Sequence, residues 1–192
     1  MQAQADRTSD AAPTGRVRGA AVQPIGVRPV PGPGMARTPG TKAFRQLVRA
    51  AGIIFSGTVT NIQQRSAADS QSLETVAITF HVDNAIRGTA PGENLTITQW
   101  IGLWSGGQRY RVGERVALFL YPASRLGLTS SVAGPMGRFE MEDARRILIS
   151  EQHRLAFRGD PVLGGRSRLT FRELAQAVHT EGEDEGSHGR RP

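Results

Sequence analysis

Positions 100 to 111 read Trp100-Ile-Gly-Leu-Trp104-Ser-Gly-Gly107-Gln-Arg109-Tyr110-Arg111 and hold both tryptophans of the chain, one tyrosine and two arginines. Indole rings stack on flat groups and guanidinium groups bond oxygens in a fixed fork, so this set of residues could grip a base, a sugar or a protein surface. If a strand continued through the segment, Trp100 and Trp104 would project to one side, with the bare backbone of Gly102 between them. A competing reading has the same rings plug the end of a core and pack under Leu103, while Ser105-Gly106-Gly107 turns the chain. Trp100, Trp104, Arg109, Tyr110 and Arg111 are therefore the candidate binding residues. A second candidate is the long connection Pro122–Pro135, because long irregular loops are often functional.

Catalytic chemistry finds little support. The chain contains no G-x-S-x-G, G-x-G-x-x-G, Walker A or H-E-x-x-H pattern, and no cysteine. No cofactor and no resident metal are expected, and thiolate catalysis, disulfides and Cys-ligated zinc are excluded. His81 and Asp83 fall two apart, so a strand would place them on one face, where a metal or an acid–base pair is conceivable; an exposed polar face uses the same residues for solubility. His179 and His188 flank an acidic run and read as part of a solvated tail. Glu140 and Glu142 would be neighbours on one strand face, whereas glycosidases set two carboxylates across a cleft. The expectation is a non-enzymatic binding module, with a hydrolase using His81 and Asp83 as a distant rival.

Charge narrows the partner. The net charge is +7, from 24 basic and 17 acidic residues. The excess is +3 over residues 1–40 (5 − 2), +4 over 41–150 (12 − 8) and zero over 151–192 (7 − 7). A nucleic-acid binder concentrates its charge on one face, so this even spread counts against a single-stranded nucleic-acid partner, which remains the alternative. The longest apolar run, Val116–Tyr121, is too short to span a bilayer.

The elements that must position these residues read as mainly β. Six of the eleven prolines fall in residues 1–40, too poor in apolar surface to offset chain entropy, so a disordered or polyproline-like leader is expected. Phe44, Leu47, Val48 and Ala51 recur with helical spacing, which predicts a helix over about 42–51, capped by Thr41 and ended by Gly52. Alternation then predicts a strand from Ile53 to Thr60 with Gly57 at a bend or bulge. Gln63–Ser72 is a polar connection. A second strand places Val76, Ile78, Phe80 and Val82 on one face, and a third places Leu95, Ile97 and Gln99 there. A fourth spans Arg115–Tyr121, and a fifth, Gly137–Glu142, turns through Asp143–Arg145 into Ile147–Ile149. Thr170-Phe-Arg-Glu173 is a capping box opening a short helix to about His179, with Phe171, Leu174 and Val178 as its apolar stripe.

Ile53-Ile-Phe-Ser-Gly-Thr-Val-Thr60, then Ile78-Thr-Phe-His-Val82 with Ile86-Arg-Gly88, then Val112-Gly-Glu-Arg-Val-Ala-Leu-Phe-Leu-Tyr121 occur in this order. Over about residues 43–142 the chain resembles the small OB-like β-barrels of the TIMP/netrin-like group, particularly bacterial exported proteins. That resemblance implies a five- or six-stranded antiparallel barrel with short flanking helices. Animal members inhibit metalloproteases through an N-terminal cysteine that chelates zinc; without a cysteine, this chain does not inherit that activity. The expected organisation is a leader (1–40), a barrel domain (41–150), an extension with a short helix (151–179) and a disordered tail (180–192). Ala3-Gln4-Ala5 has the form of a signal cleavage site before a low-complexity stretch, so an extracytoplasmic protein is expected, with a cytoplasmic one if no leader lies upstream. The expected partner is a protein, a glycan or a cell-envelope component.

Overall fold

A computed structural model of the chain describes residues 40–66, 73–105 and 108–188. The leader up to residue 39, most of the polar connection before Leu73, Gly106-Gly107 and the last four residues lie outside the described residues. What is described is mainly β: a five-stranded antiparallel sheet, a two-stranded sheet and short helices.

Helix α1 (Gly40–Ala50) buries the predicted stripe of Phe44, Leu47, Val48 and Ala51. It begins before Thr41, which stands inside the helix instead of capping it. Its far end is closed from another element: Arg87 Nη1 donates to the carbonyls of Val48 and Ala51, both at 2.9 Å. A cation there satisfies terminal carbonyls and complements the helix dipole.

The large sheet is built from β1 (Ile53–Arg65), β2 (Thr75–Arg87), β3 (Asn94–Trp100), β4 (Arg115–Leu120) and β5 (Arg138–Glu140), in the order β3-β2-β1-β4-β5. The chain runs as a meander only through β1-β2-β3. β4 returns to pair with β1, a register from Ile53–Leu120 to Thr58–Arg115. Gly57 sits at a register shift against β2, where a Cβ would meet the carbonyl oxygen of His81, so the expected bulge is present.

Two apolar clusters share the sheet. Phe55, Val59, Val76, Ile78, Phe80, Val82, Ile97, Val116, Leu118 and Leu120 form the inner one. Ile54, Ala117, Phe119 and Phe139 face the other, with the stripe of α1. β4 lies between the two, which explains its unbroken apolar run Val116–Leu120 where an antiparallel strand with one wet face would alternate. The second cluster continues past Ser150 into Phe157, Leu163, Leu169, Phe171 and Leu174, so α3 (Glu151–Ala156), β7 (Arg168–Thr170) and α4 (Phe171–His188) belong to the same packing. The turn after β5 forms as expected. Asp143 Oδ1 accepts from the backbone N–H groups of Arg145 and Arg146, both at 2.8 Å, and leads into β6 (Arg146–Leu148). β6 pairs with β7 instead of extending the large sheet, although Met141 and Ile147 form a bridge.

The predicted capping box forms: Glu173 takes the Thr170 N–H at 2.7 Å and returns its own N–H to Thr170 Oγ1 at 3.2 Å. The helix it opens does not stop at His179 but runs to His188. Residues expected in a disordered tail are thus helical as far as they are described. Arg45 of α1 is 2.5 Å from Glu181 of α4.

Segment 128–132 links edge strand β3 to β4. Thr98 and Leu128 form a parallel bridge, Leu120 and Ser131 an antiparallel one. Thr129 N donates to Thr98 O at 2.9 Å and Val132 N to Phe119 O at 2.8 Å.

Candidate functional site

The aromatic–arginine segment divides at Trp100. β3 ends there, and the chain turns into α2 (Gly102–Ser105), a single helical turn. The two indoles therefore do not share a strand face. Trp100 stays on the surface, 48% exposed. Trp104 turns inward, half-buried against the inner apolar cluster, with its Nε1 buried and unbonded. The space over Gly102 is taken by the molecule itself: a Cβ there would collide with the six-membered ring of Trp100. The bare backbone expected to receive a flat ligand is covered by that ring.

The remaining candidates separate too. Tyr110 is buried at 3% exposure, edge-on to Phe80 with ring centroids 5.6 Å apart, so it is a core residue and not a contact surface. Arg109 is exposed, its guanidinium 5.9 Å from the Trp104 ring centroid. Arg111 is exposed, and its N–H donates to Glu114 Oε2 at 2.9 Å, closing the turn into β4. Of the five, Trp100, Arg109 and Arg111 face outward.

Trp100 instead joins the second candidate, the connection after β4. A groove of about 280 Å³ is lined by Trp100, Leu103, Tyr121, Pro122, Ser124, Leu128, Thr129 and Ser130. The loop is held by its own bonds: Ser124 N donates to Leu128 O at 2.8 Å, and Thr129 Oγ1 to Tyr121 O at 2.6 Å. Tyr121 is 40% exposed and Leu126 75%. No ionised side chain lines this groove, so it favours apolar and aromatic contact with hydroxyl bonding at the margin.

A larger cleft, about 760 Å³, lies between the sheet and α3, lined by Gln108, Arg138, Glu140, Ser150, His153 and Arg168 among others. The sequence reading did not single out His153, the only buried histidine among the described residues. Its Nε2 is 3.2 Å from the Pro135 carbonyl, which can only accept, so Nε2 carries the proton. Nδ1 then accepts from Ser150 Oγ at 2.8 Å. The ring stacks on Phe139, centroids 4.2 Å apart at 14°. Burial pushes its pKa below 6.5, against the opposing pull of the Pro135 and Met136 backbone and of Glu140. Ser150 is the N-cap of α3, so the pair performs a capping and packing task. Both arginines at the rim are committed, Arg138 to Glu114 and Arg168 to Glu142.

The other sequence candidates do not assemble. His81 is exposed, and Asp83 accepts from Thr58 Oγ1 at 3.3 Å without bonding His81. Glu142 joins Arg146 and Arg168 in a surface ion cluster, while Glu140 points into the larger cleft. His179 is exposed on α4, and the side chain of His188 lies outside the described residues. Among the described residues no group of three His, Asp or Glu could hold a metal ion, and no helix is long and apolar enough to cross a membrane. No family model matches the chain, and neither does any curated protein or solved structure.

Proposed function

We propose that this chain is a non-catalytic binding module whose contact surface is the groove between Trp100 and the loop after β4. The single observation that carries the reading is the exposure of Trp100 and Tyr121 along one uncharged groove. Two large aromatics left in water beside a proline and two leucines form a surface suited to an apolar partner. The partner is a protein segment, a glycan or a cell-envelope component. Single-stranded nucleic acid fits less well, because no arginine lines the groove to meet a phosphate backbone.

The barrel reading belongs to the same proposal. A barrel closes its sheet on itself, so the free edge of β3 would have to be joined to the far side of the sheet. The parallel bridge Thr98–Leu128 and the antiparallel bridge Leu120–Ser131 support a closure of that kind. The proposal includes membership of the TIMP/netrin-like group, on the resemblance of the sequence alone, and export from the cytoplasm, on Ala3-Gln4-Ala5.

The test is a binding screen with the full chain, run on immobilised peptides, glycans and oligonucleotides beside Trp100→Ala and Tyr121→Ala. Ligands captured by the wild type and released by both variants, with melting unchanged, support the groove. Capture that both variants retain removes it. Capture of oligonucleotides alone, abolished by moderate salt, supports the alternative.

A further inference from the structure

The cleft between the sheet and α3 holds a charge without a counter-ion. Three charged side chains line it, Arg138, Glu140 and Arg168. Arg138 pairs with Glu114 and lies over the Tyr110 ring, 4.3 Å from its centroid. Arg168 Nη2 is 3.1 Å from Glu142 Oε1. Glu140 shares a face of β5 with Arg138, because Phe139 between them is buried in the core. Its carboxylate has no ion pair or side-chain hydrogen bond among the described residues. His153 does not balance it. Burial holds that ring below 6.5, although Glu140 is near enough to pull against the shift. Above pH 7 the cleft therefore carries one uncompensated negative charge.

The neutral polar groups narrow the guest further. The Ser150 hydroxyl and both ring nitrogens of His153 are taken up by each other and by the Pro135 carbonyl. The Gln108 amide is not. Its Oε1 is buried and unbonded, and its Nε2, which stands 3.4 Å from where a Cβ on Gly134 would be, also lacks a protein partner. A half-turn of this amide breaks no bond, so it can offer either oxygen or nitrogen. A single carboxylate is too few ligands for a divalent cation. An anion would have to take an arginine from its glutamate and lie beside Glu140. The volume, about 760 Å³, is in the range of small-ligand sites. We propose that this cleft binds a small organic cation, its ammonium or guanidinium group on the Glu140 carboxylate and its apolar stem along Pro135 and Leu148. The site shares no lining residue with the groove at Trp100 and does not depend on it.

The probes are butylammonium, butylguanidinium and butyrate, titrated into the full chain at about pH 7.5 and followed through backbone amide resonances. At least one cation should bind saturably, with a Kd on the order of millimolar for so few atoms. The shifts should centre on Glu140 and Leu148, and butyrate should leave them in place. Added salt should weaken the binding, as a charge contact requires. Glu140→Gln keeps the shape of an exposed side chain, so it should melt with the wild type and bind the cation at least about tenfold more weakly. Glu151→Gln removes an exposed carboxylate of α3 that does not line the cleft and should bind as the wild type does. The proposal is overturned if neither cation saturates by about 100 mM, if butyrate binds as well, or if salt has no effect. Equal affinity in Glu140→Gln and wild type overturns it as well. Trp100→Ala should not change cation binding, so failure of the groove and failure of this site are read separately.

Discussion

Trp100 rests its six-membered ring on Gly102, closely enough that a Cβ at position 102 would strike three of its carbons. The glycine sets the pose of the exposed indole, and so the shape of the groove wall. Gly102→Ala should push the ring away, changing the intrinsic fluorescence and weakening partner capture about as much as Trp100→Ala. Both variants should melt near the wild type, because a half-exposed ring contributes little to the core. An unchanged emission spectrum in Gly102→Ala would show that the contact does not hold the ring.

Trp104 should behave in the opposite way. It packs against the inner cluster with Nε1 buried and unbonded. Trp104→Ala should cost about 3 kcal/mol, the lower end of the range for large aromatics because the ring is only half-buried. Trp104→Phe keeps an aromatic ring and removes the unbonded N–H, so it should cost much less. Chemical denaturation of the two variants checks this. Equal midpoints for Trp104→Ala and wild type would return Trp104 to the surface.

The contrast between these residues shows what the sequence made legible. β2 could be read because its apolar residues alternate: Val76, Ile78, Phe80 and Val82 are spaced two apart in sequence and are all fully buried. The capping box could be read because Thr170 and Glu173 bond each other locally. The pairing of β4 with β1 could not, since its apolar run faces two cores and carries no alternation to mark a partner. β7, only three residues long, and α3, held by the Ser150–His153 contact, give no periodic signal. The site was half legible. Aromatic composition identified Trp100 and loop length identified the segment after Pro122, but the helical turn that sends Trp104 inward and brings Trp100 beside Tyr121 is a tertiary result.

His153 makes stability depend on pH near neutrality. Its folded-state pKa lies below 6.5, chiefly through burial, its ring stacked on Phe139. The unfolded chain therefore binds the proton first, and stability declines as pH falls below about 6.5. Protonation would also place a hydrogen on Nδ1, where Ser150 Oγ donates. Glu173 and Asp143 are lowered carboxylates whose contributions weaken only below about pH 4.5, so they leave this window clear. Melting temperatures from pH 8 to 5 should fall for the wild type and stay flatter for His153→Gln, which starts lower because the stacking is lost. A parallel pair of curves would show that another group titrates.

The cap of α4 gives a second, more acidic window. Glu173 accepts the Thr170 N–H at 2.7 Å, the Thr170 hydroxyl at 2.9 Å and Arg166 Nη1 at 2.7 Å. These bonds, the Thr170 N–H first, lower its pKa from 4.5 to about 2. A depressed carboxylate stabilises fully above its unfolded value, and the gain is lost as pH falls from about 4.5 toward 2. The side chain is 43% exposed, so solvent screening keeps the electrostatic share small. Thr170→Ala removes the hydroxyl that accepts the Glu173 N–H and should cost about 1 kcal/mol at neutral pH. The loss should spread beyond the helix, because Phe171, Leu174 and Val178 share a cluster with α1 and β4. Glu173→Gln should remove the part of the acid transition lying between pH 4.5 and 2 while leaving the His153 window in place. Backbone hydrogen exchange in the first turn of α4 is the direct readout. Unaltered protection there in Thr170→Ala would mean that packing of Phe171 and Leu174, not the cap, holds the helix start.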